Sequence, residues 1–506
     1  MGNLFVYFPL LFAFYIFTKH FYHKLRGHPP SPILNLPILG HLYLLKKPIY
    51  RSLAKVSEKY GPVLLLQFGA RQVLLVSSPS AAEECLNKND IVFANRPQMM
   101  AGKYLGNNYT SLAWSSYGDH WRNLRRISSL EILSTHRLQM LQNIRIDEVK
   151  GMIQRVYRDS EQKGLVDMKT AFFEMTMNVM MRMIAGKRYF GEKVEEMEEA
   201  NRFREIVMET FRLGSTSTAD FVPVLRRLGV GGVEKRLVSL QKKREQFMQE
   251  LVEQCKTRLG GDGGGASEVG GKKKTMIEVL LTLQEKEPEY YTDRIIRSLM
   301  LVLLAAGTDT SSGTMEWALS LLLNNPEVLK KAQKEIDDHV GPERLIDESD
   351  MANLPYLHCI INETLRMYPP GPLLIPHESS EDSVIGGYRI PGGTMLLVNL
   401  WAIQNDPKIW DDSRKFKPER FEGLEATRDG FKLMPFGSGR RGCPGEGLAV
   451  RMVGLGLGSV IQCFDWERVG NELVDMAEGT GLTMPKAQPL IAKCTPRPVG
   501  AKLFSV

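Results

Sequence analysis

A mainly α-helical fold with small β-sheets, an α+β architecture, is what this sequence predicts, on three observations. Apolar residues recur at helical spacing from about residue 80 to 259 and again from 293 onward. Strand-like stretches are confined to short segments near residues 63–76 and 373–398. No internal repeat is visible, which excludes a solenoid or propeller. The 506 residues are 43% hydrophobic and 24% charged, so wholesale disorder, collagen and a disulfide scaffold are out. The net charge of +7 is local. Lys19, Lys24 and Arg26 form one basic cluster and Lys272, Lys273 and Lys274 another, with no acid inside either. A distributed nucleic-acid surface is therefore unsupported.

Residues 4–17 (LFVYFPLLFAFYIF) are uninterruptedly apolar. As a helix at ~1.5 Å per residue they cover roughly 21 Å, short of a ~30 Å hydrocarbon core. Phe21 and Tyr22 prolong the apolar face, and Lys19 can snorkel to the interface. No basic residue precedes the run and no small-x-small site follows it, which argues against a cleaved signal peptide. The positives come after it, so the positive-inside rule places the rest of the chain in the cytosol. The expectation is a single-pass anchor over residues 1–28 and a catalytic domain over 29–506. The prolines of residues 28–40 make a stiff hinge between them. Cys85, Cys255, Cys359, Cys443, Cys463 and Cys494 contain no CxxC pair, as expected of free thiols in a reducing compartment. The sequon Asn362-Glu363-Thr364 falls in a segment that reads as packed helix, where a glycan could not fit.

Residues 63–68 and 72–76, separated by Gly69-Ala70-Arg71, predict a β-hairpin. Helices then dominate to residue 259, with turn signals at Gly186, Gly214 and 229–232. Residues 260–274 (GGDGGGASEVGGKKK) are low-complexity and predict a flexible solvated loop. Long helices are expected at 293–324 and 326–339, short strands around 373–398, and a last helix over 446–463.

The strongest chemical signal is Phe436-Gly437-Ser438-Gly439-Arg440-Arg441-Gly442-Cys443-Pro444-Gly445. Three glycines before the cysteine allow a tight backbone and close approach of a planar ligand. Pro444 is placed to open the following helix, which puts Cys443 at a helix N-terminus, where a thiolate is stabilised. Such a thiolate can be a nucleophile or a metal ligand, and no orienting His stands next to it. Glu363 and Arg366, at i and i+3, can pair on one helical face, as surface residues commonly do. Trp121 and Arg125 lie one turn apart on another helix. Ala305-Ala306-Gly307-Thr308-Asp309-Thr310-Ser311 interrupts a strongly apolar helix, and Thr310 can bond the Ala306 carbonyl and bend it. Close helix packing explains Gly307 but not Asp309 beside Thr310.

The pattern F-x-x-G-x-R-x-C-x-G resembles the haem-binding loop of the cytochrome P450 superfamily, the haem-thiolate monooxygenases. The resemblance implies that fold behind a transmembrane helix, and haem b with Cys443 as axial iron ligand. It also implies Arg441 against a haem propionate and Phe436 beside the sulfur. Pro418-Glu419-Arg420-Phe421 matches the family's companion motif, so Glu363, Arg366 and Arg420 would form a buried structural ion network. Trp121-x-x-x-Arg125 resembles the helix that offers an indole N–H and a guanidinium to one propionate, and His377 matches another propionate partner, with a satisfied core histidine as the alternative. By the A-G-x-D-T resemblance, Asp309 and Thr310 deliver protons during dioxygen activation.

More narrowly, AGTDTSSGTMEWALS and CPGEGLA resemble plant A-type members of the group that includes isoflavone 2'- and 3'-hydroxylases. That implies hydroxylation of a lipophilic phenolic metabolite at the endoplasmic-reticulum membrane, with oxidative phenol coupling or methylenedioxy-bridge closure as alternatives. No dinucleotide or flavin motif is present, so electrons would come from NADPH through a separate flavoprotein reductase, with cytochrome b5 a second candidate partner. Arg440, Lys432 and Arg126 are candidate contacts for that acidic partner. Leu105, Val302, Ala306, Leu374 and Leu482 are the candidate substrate contacts. The rivals are a reductase-independent haem isomerase or dehydratase, which needs no Asp309-Thr310 pair, and a non-catalytic haem protein.

Overall fold

The computed structural model of the chain describes residues 4–191, 197–261, 274–423 and 430–500. Its organising element is the central helix Asp293–Asn324, capped by the Thr292 hydroxyl, which accepts from the Ile295 N–H. The bounds match the sequence expectation because the cap and the terminal Asn324-Asn325-Pro326 break are both local signals. Its apolar residues, among them Leu299, Met300, Leu304, Met315, Leu319 and Leu322, are buried in one large core. Against them pack the methionine-rich helix Met168–Ala185 and the helix Glu446–Cys463. Met180 crosses at Gly307: a Cβ built there would lie 2.6 Å from the Met180 Sδ. The helix runs unbroken through the polar stretch 305–311, and the Thr310 hydroxyl donates to the Ala306 carbonyl (2.7 Å) as expected.

The hairpin forms, with Val63–Phe68 antiparallel to Arg71–Val76. Phe68 pairs with Arg71, so the turn is Gly69-Ala70 alone, and Arg71, expected in the turn, opens the second strand. Gly69 sits at φ +53 with the Phe221 carbonyl oxygen 2.0 Å from where a Cβ would be, so neither its conformation nor its surroundings admit a side chain. Strand Arg71–Val76 continues in parallel to Met395–Val398, whose other edge carries His377–Glu378. This sheet fixes His377 opposite Leu396. A second sheet, in the order Val166–Asp167, Ile491–Pro496, Phe464–Glu467, was not anticipated, since its strands are short and far apart in sequence.

The N-terminal run is a helix over Leu4–Leu25, on which Leu10, Leu11, Phe14, Phe17 and Phe21 are exposed. Among the described residues, the helix that meets both the length and the hydropathy needed to cross a membrane is Asp293–Asn324, and half of that stretch is buried in the core. Most of the expected flexible loop, residues 262–273, lies outside the described residues.

Candidate active site

The central helix, the cysteine loop and the helix carrying Trp121 and Arg125 (Asp119–Ile127) enclose a cavity of about 650 Å³. Cys443 lines it, and of the six cysteines, all free, no other does. The loop is held by the Cys443 N–H donating to the Phe436 carbonyl (2.8 Å), and Phe436 also faces the cavity. Gly437 and Gly439 take φ +70 and +67, and a Cβ on Gly439 would fall 2.0 Å from the Leu86 carbonyl oxygen. Pro444 does not open the helix as expected. Gly445 caps it and Glu446 is its first residue, so the Cys443 sulfur accepts from the backbone N–H groups of Gly445 and Glu446. Burial pushes the Cys443 thiol up, while those two N–H groups and Arg125 pull the other way, the Gly445 N–H most. The N-terminal stabilisation expected for a thiolate is present but smaller than desolvation, and a bound metal ion reverses that balance.

Beside the cysteine lies a cluster of cations. Arg441 donates from Nε to the Ala94 carbonyl and from Nη2 to the Ser115 carbonyl, both at 2.6 Å, and lies 4.2 Å over the Trp121 ring. Its Nη1 is buried with no partner among the described residues. Arg125 donates to the Gly442 carbonyl at 2.5 Å. Burial, and then the neighbouring Arg125, push Arg441 down to about 9. Sequence reading missed Arg96. It is buried, its Nε donating to the Ala113 carbonyl and its Nη1 to the carbonyls of Ile375 and Pro376. Its only sequence signal was an Arg before a proline, Arg96-Pro97, in an otherwise apolar stretch. The orphaned Arg441 Nη1, in an arginine cluster with no carboxylate partner among the described residues, fits the propionates of a haem seated on Cys443.

Two expectations change in detail. The Trp121 indole N–H is already spent on the Leu112 carbonyl (3.2 Å), so Trp121 supplies the face under Arg441 rather than a propionate donor. His377 lines the cavity, but its Nδ1 faces the Phe93 carbonyl at 2.7 Å and so carries the proton. Burial, then Arg96 and Arg441, hold His377 well below its ordinary 6.5. The neutral ring offers Nε2 as an acceptor, so pairing with a carboxylate needs a second proton.

Thr310 lines the cavity, as do Leu105, Val302, Ala306, Leu374 and Leu482. Asp309 does not. Its Oδ2 accepts from the Thr483 hydroxyl at 2.9 Å, and Thr483 does line the cavity. Burial raises the Asp309 carboxyl above the ordinary carboxylate range, with the Thr483 hydroxyl pulling it back. Glu363, Arg366 and Arg420 come together away from the cavity. Arg366 grips both carboxylate oxygens of fully buried Glu363 (2.7 and 2.9 Å), and the Arg420 Nε donates at 3.1 Å. Of the suggested partner contacts, Arg440 pairs with Asp90 at 3.2 Å and Arg126 donates to the Asn123 side chain.

The Cytochrome P450 family model matches residues 29–492. The chain belongs to the cytochrome P450 family. It is 50% identical over 472 residues to a (+)-piperitol/(+)-sesamin synthase of Sesamum radiatum, covering 93% of this chain and 90% of the relative. To an isoflavone 2'-hydroxylase of Glycyrrhiza echinata it is 46% identical over 502 residues, covering 98% and 97%. A zebra fish cytochrome P450 solved with progesterone superposes with a TM-score of 0.75 at 26% identity, covering 89% of this chain and 100% of that one. Cytochrome P450 enzymes are monooxygenases whose haem iron is coordinated by a thiolate, and this chain is one of them.

Proposed function

We propose that this cytochrome P450 hydroxylates a lipophilic phenolic substrate, an isoflavonoid-type ring, as a membrane-anchored enzyme fed by NADPH through a separate flavoprotein reductase. The observation that carries it is the convergence on one apolar cavity of a free cysteine, a cation cluster and Thr310. When bound, the haem supplies the chemistry of dioxygen activation. One oxygen atom enters the substrate C–H bond, and the other leaves as water, with two electrons from NADPH and two protons closing the balance.

The protein's own groups do the rest. Cys443 would hold the haem iron through its sulfur, which accepts from the Gly445 and Glu446 N–H groups. Arg441, Arg125 and Arg96 balance the propionate charge, and His377 closes that end of the cavity. Thr310, its hydroxyl hydrogen bonded to the Ala306 carbonyl, offers its oxygen lone pairs and exchangeable proton to the cavity. Asp309, whose carboxyl burial pushes above the ordinary carboxylate range, resupplies that proton. Leu105, Val302, Ala306, Leu374 and Leu482 exclude water and hold the flat ring. The exposed apolar face of Leu4–Leu25 and the basic residues after it suit a single-pass anchor in the endoplasmic-reticulum membrane. A second reading, closure of a methylenedioxy bridge by the same haem chemistry, is favoured by the sesamin synthase similarity.

Microsomes holding the enzyme and a plant reductase should show a thiolate-type carbon-monoxide band and NADPH-dependent oxidation of isoflavone or lignan substrates. C443A should lose the band. A band that survives C443A, or turnover that proceeds without NADPH, sinks the reading.

A further inference from the structure

Six Lys and Arg side chains line the cavity and, among the described residues, no Asp or Glu does. Arg96, Arg125 and Arg441 belong to the cluster beside the cysteine, and Lys47 and Arg212 are exposed. Arg244 is neither. It projects from the helix Val233–Gly261 and is only 3% exposed. Its Nη1 donates to the Leu105 carbonyl and to the Gln241 side-chain oxygen, each at 3.0 Å, and both acceptors are neutral. Its Nε and Nη2 have no partner among the described residues, and no carboxylate pairs with it there. Burial lowers it to about 10, with Glu245 pulling the other way, so it is charged at neutral pH. Capping Leu105 explains one nitrogen of a buried cation but not the other two. A charge taken from water without a counter-ion is costly, and a ligand that brings the counter-ion relieves that cost.

We propose that Arg244 is a substrate-recognition residue, its guanidinium pairing with an acidic oxygen, phenolate or carboxylate, on the substrate end remote from the reacting carbon. This rests on the haem-monooxygenase reading and narrows its substrate class from lipophilic aromatics to those carrying such an oxygen.

The test uses ligands that need no knowledge of the substrate. 1-Alkylimidazoles of graded length, ending in a carboxylate, a phenol or a methyl group, are titrated into the holoenzyme while the Soret shift is read. Because the imidazole nitrogen anchors each probe at the iron, tail length scans the cavity. At one length an acid-tailed probe should bind about tenfold or more tighter than its methyl partner, the scale of a charge-assisted bond. Whether the carboxylate or the phenol wins decides between the two oxygens. R244Q should erase the preference, and R244K should keep part of it. No acid preference at any length in the wild type, or a preference that survives R244Q, overturns the proposal, and the first result does not depend on a variant folding. If no imidazole shifts the Soret band, the haem reading itself fails, a separate outcome.

Discussion

The Thr483 hydroxyl donates to Asp309 Oδ2 at 2.9 Å, tying the C-terminal pocket loop to the acid of the central helix. The loop is pinned on both sides of Thr483: the Leu482 N–H donates to the Phe211 carbonyl, and the Met484 carbonyl accepts from the Trp317 indole (3.3 and 2.8 Å). A substrate that moves the loop therefore moves the partner of Asp309, the proposed proton donor. The hydroxyl stabilises the charged carboxylate, so removing it raises the Asp309 pKa further. In T483V the limb of the pH–rate profile that reports Asp309 should shift upward, by up to about one pH unit for one lost hydrogen bond of ~1 kcal/mol. T483S should keep the wild-type limb. The measurement is product formed per NADPH across pH, and an unmoved limb in T483V would remove Asp309 from the relay.

Breaking the Glu363–Arg366 pair should be severe. Both side chains are fully buried, and Glu363 also accepts from the Lys417 N–H at 3.0 Å. E363Q leaves the Arg366 guanidinium without its counter-charge, at a cost of about 3–5 kcal/mol. The exposed i,i+4 pair Lys334–Asp338 is the control, and K334A should change stability by only ~0.5 kcal/mol or less. Denaturant midpoints of the two variants, compared side by side, check this. Equal effects would mean that burial adds nothing to the Glu363 pair.

Arg441 should govern how tightly haem is held. R441L removes the cation beside Cys443 whose buried Nη1 has no partner among the described residues, so haem transfer to an excess of apomyoglobin should quicken about tenfold, the worth of one charge-assisted bond. W121F separates the two roles considered for Trp121. Its indole N–H serves Leu112, so W121F should lower stability by about 1 kcal/mol while haem transfer stays close to wild type. Haem loss as fast as in R441L would restore the indole as a propionate donor.

How much of this was legible depended on whether the signal was local. The central helix, the helix Glu446–Cys463 and the hairpin carry their own caps, breaks and periodicity, and the sequence reading found them to within a residue or two. Cys443 and Thr310 line the cavity where motif spacing placed them, and Leu105, Val302, Ala306, Leu374 and Leu482, named from their segments' positions, line it too. Arg96, Arg244 and Thr483 were missed because little in their own segments marks them, Arg96 by no more than the proline after it. They matter through partners more than a hundred residues away, at Ile375, Leu105 and Asp309. Trp121 was placed correctly but given the wrong acceptor, since one-turn spacing fixes a side chain's direction and not which carbonyl reaches it first.

Gly307 shows the same limit from the packing side. Its propensity cost of ~1 kcal/mol relative to Ala predicts that G307A stabilises the central helix. The structure reverses the sign. The new methyl would lie 2.6 Å from the Met180 Sδ and 2.8 Å from its Cε, so Met180, which also lines the cavity, must move. Overpacking of this kind costs about 1–3 kcal/mol, enough to cancel the propensity gain or exceed it. M180A alone should cost about 2–5 kcal/mol through the void it opens. The double variant G307A/M180A fills part of that void with the alanine methyl, so its loss should fall short of the sum of the single losses by at least about 0.5 kcal/mol. Denaturant unfolding of the four proteins gives the cycle. Additive losses would show that the two helices separate to admit the methyl, and that Gly307 is kept for the shape of the cavity rather than for contact with Met180.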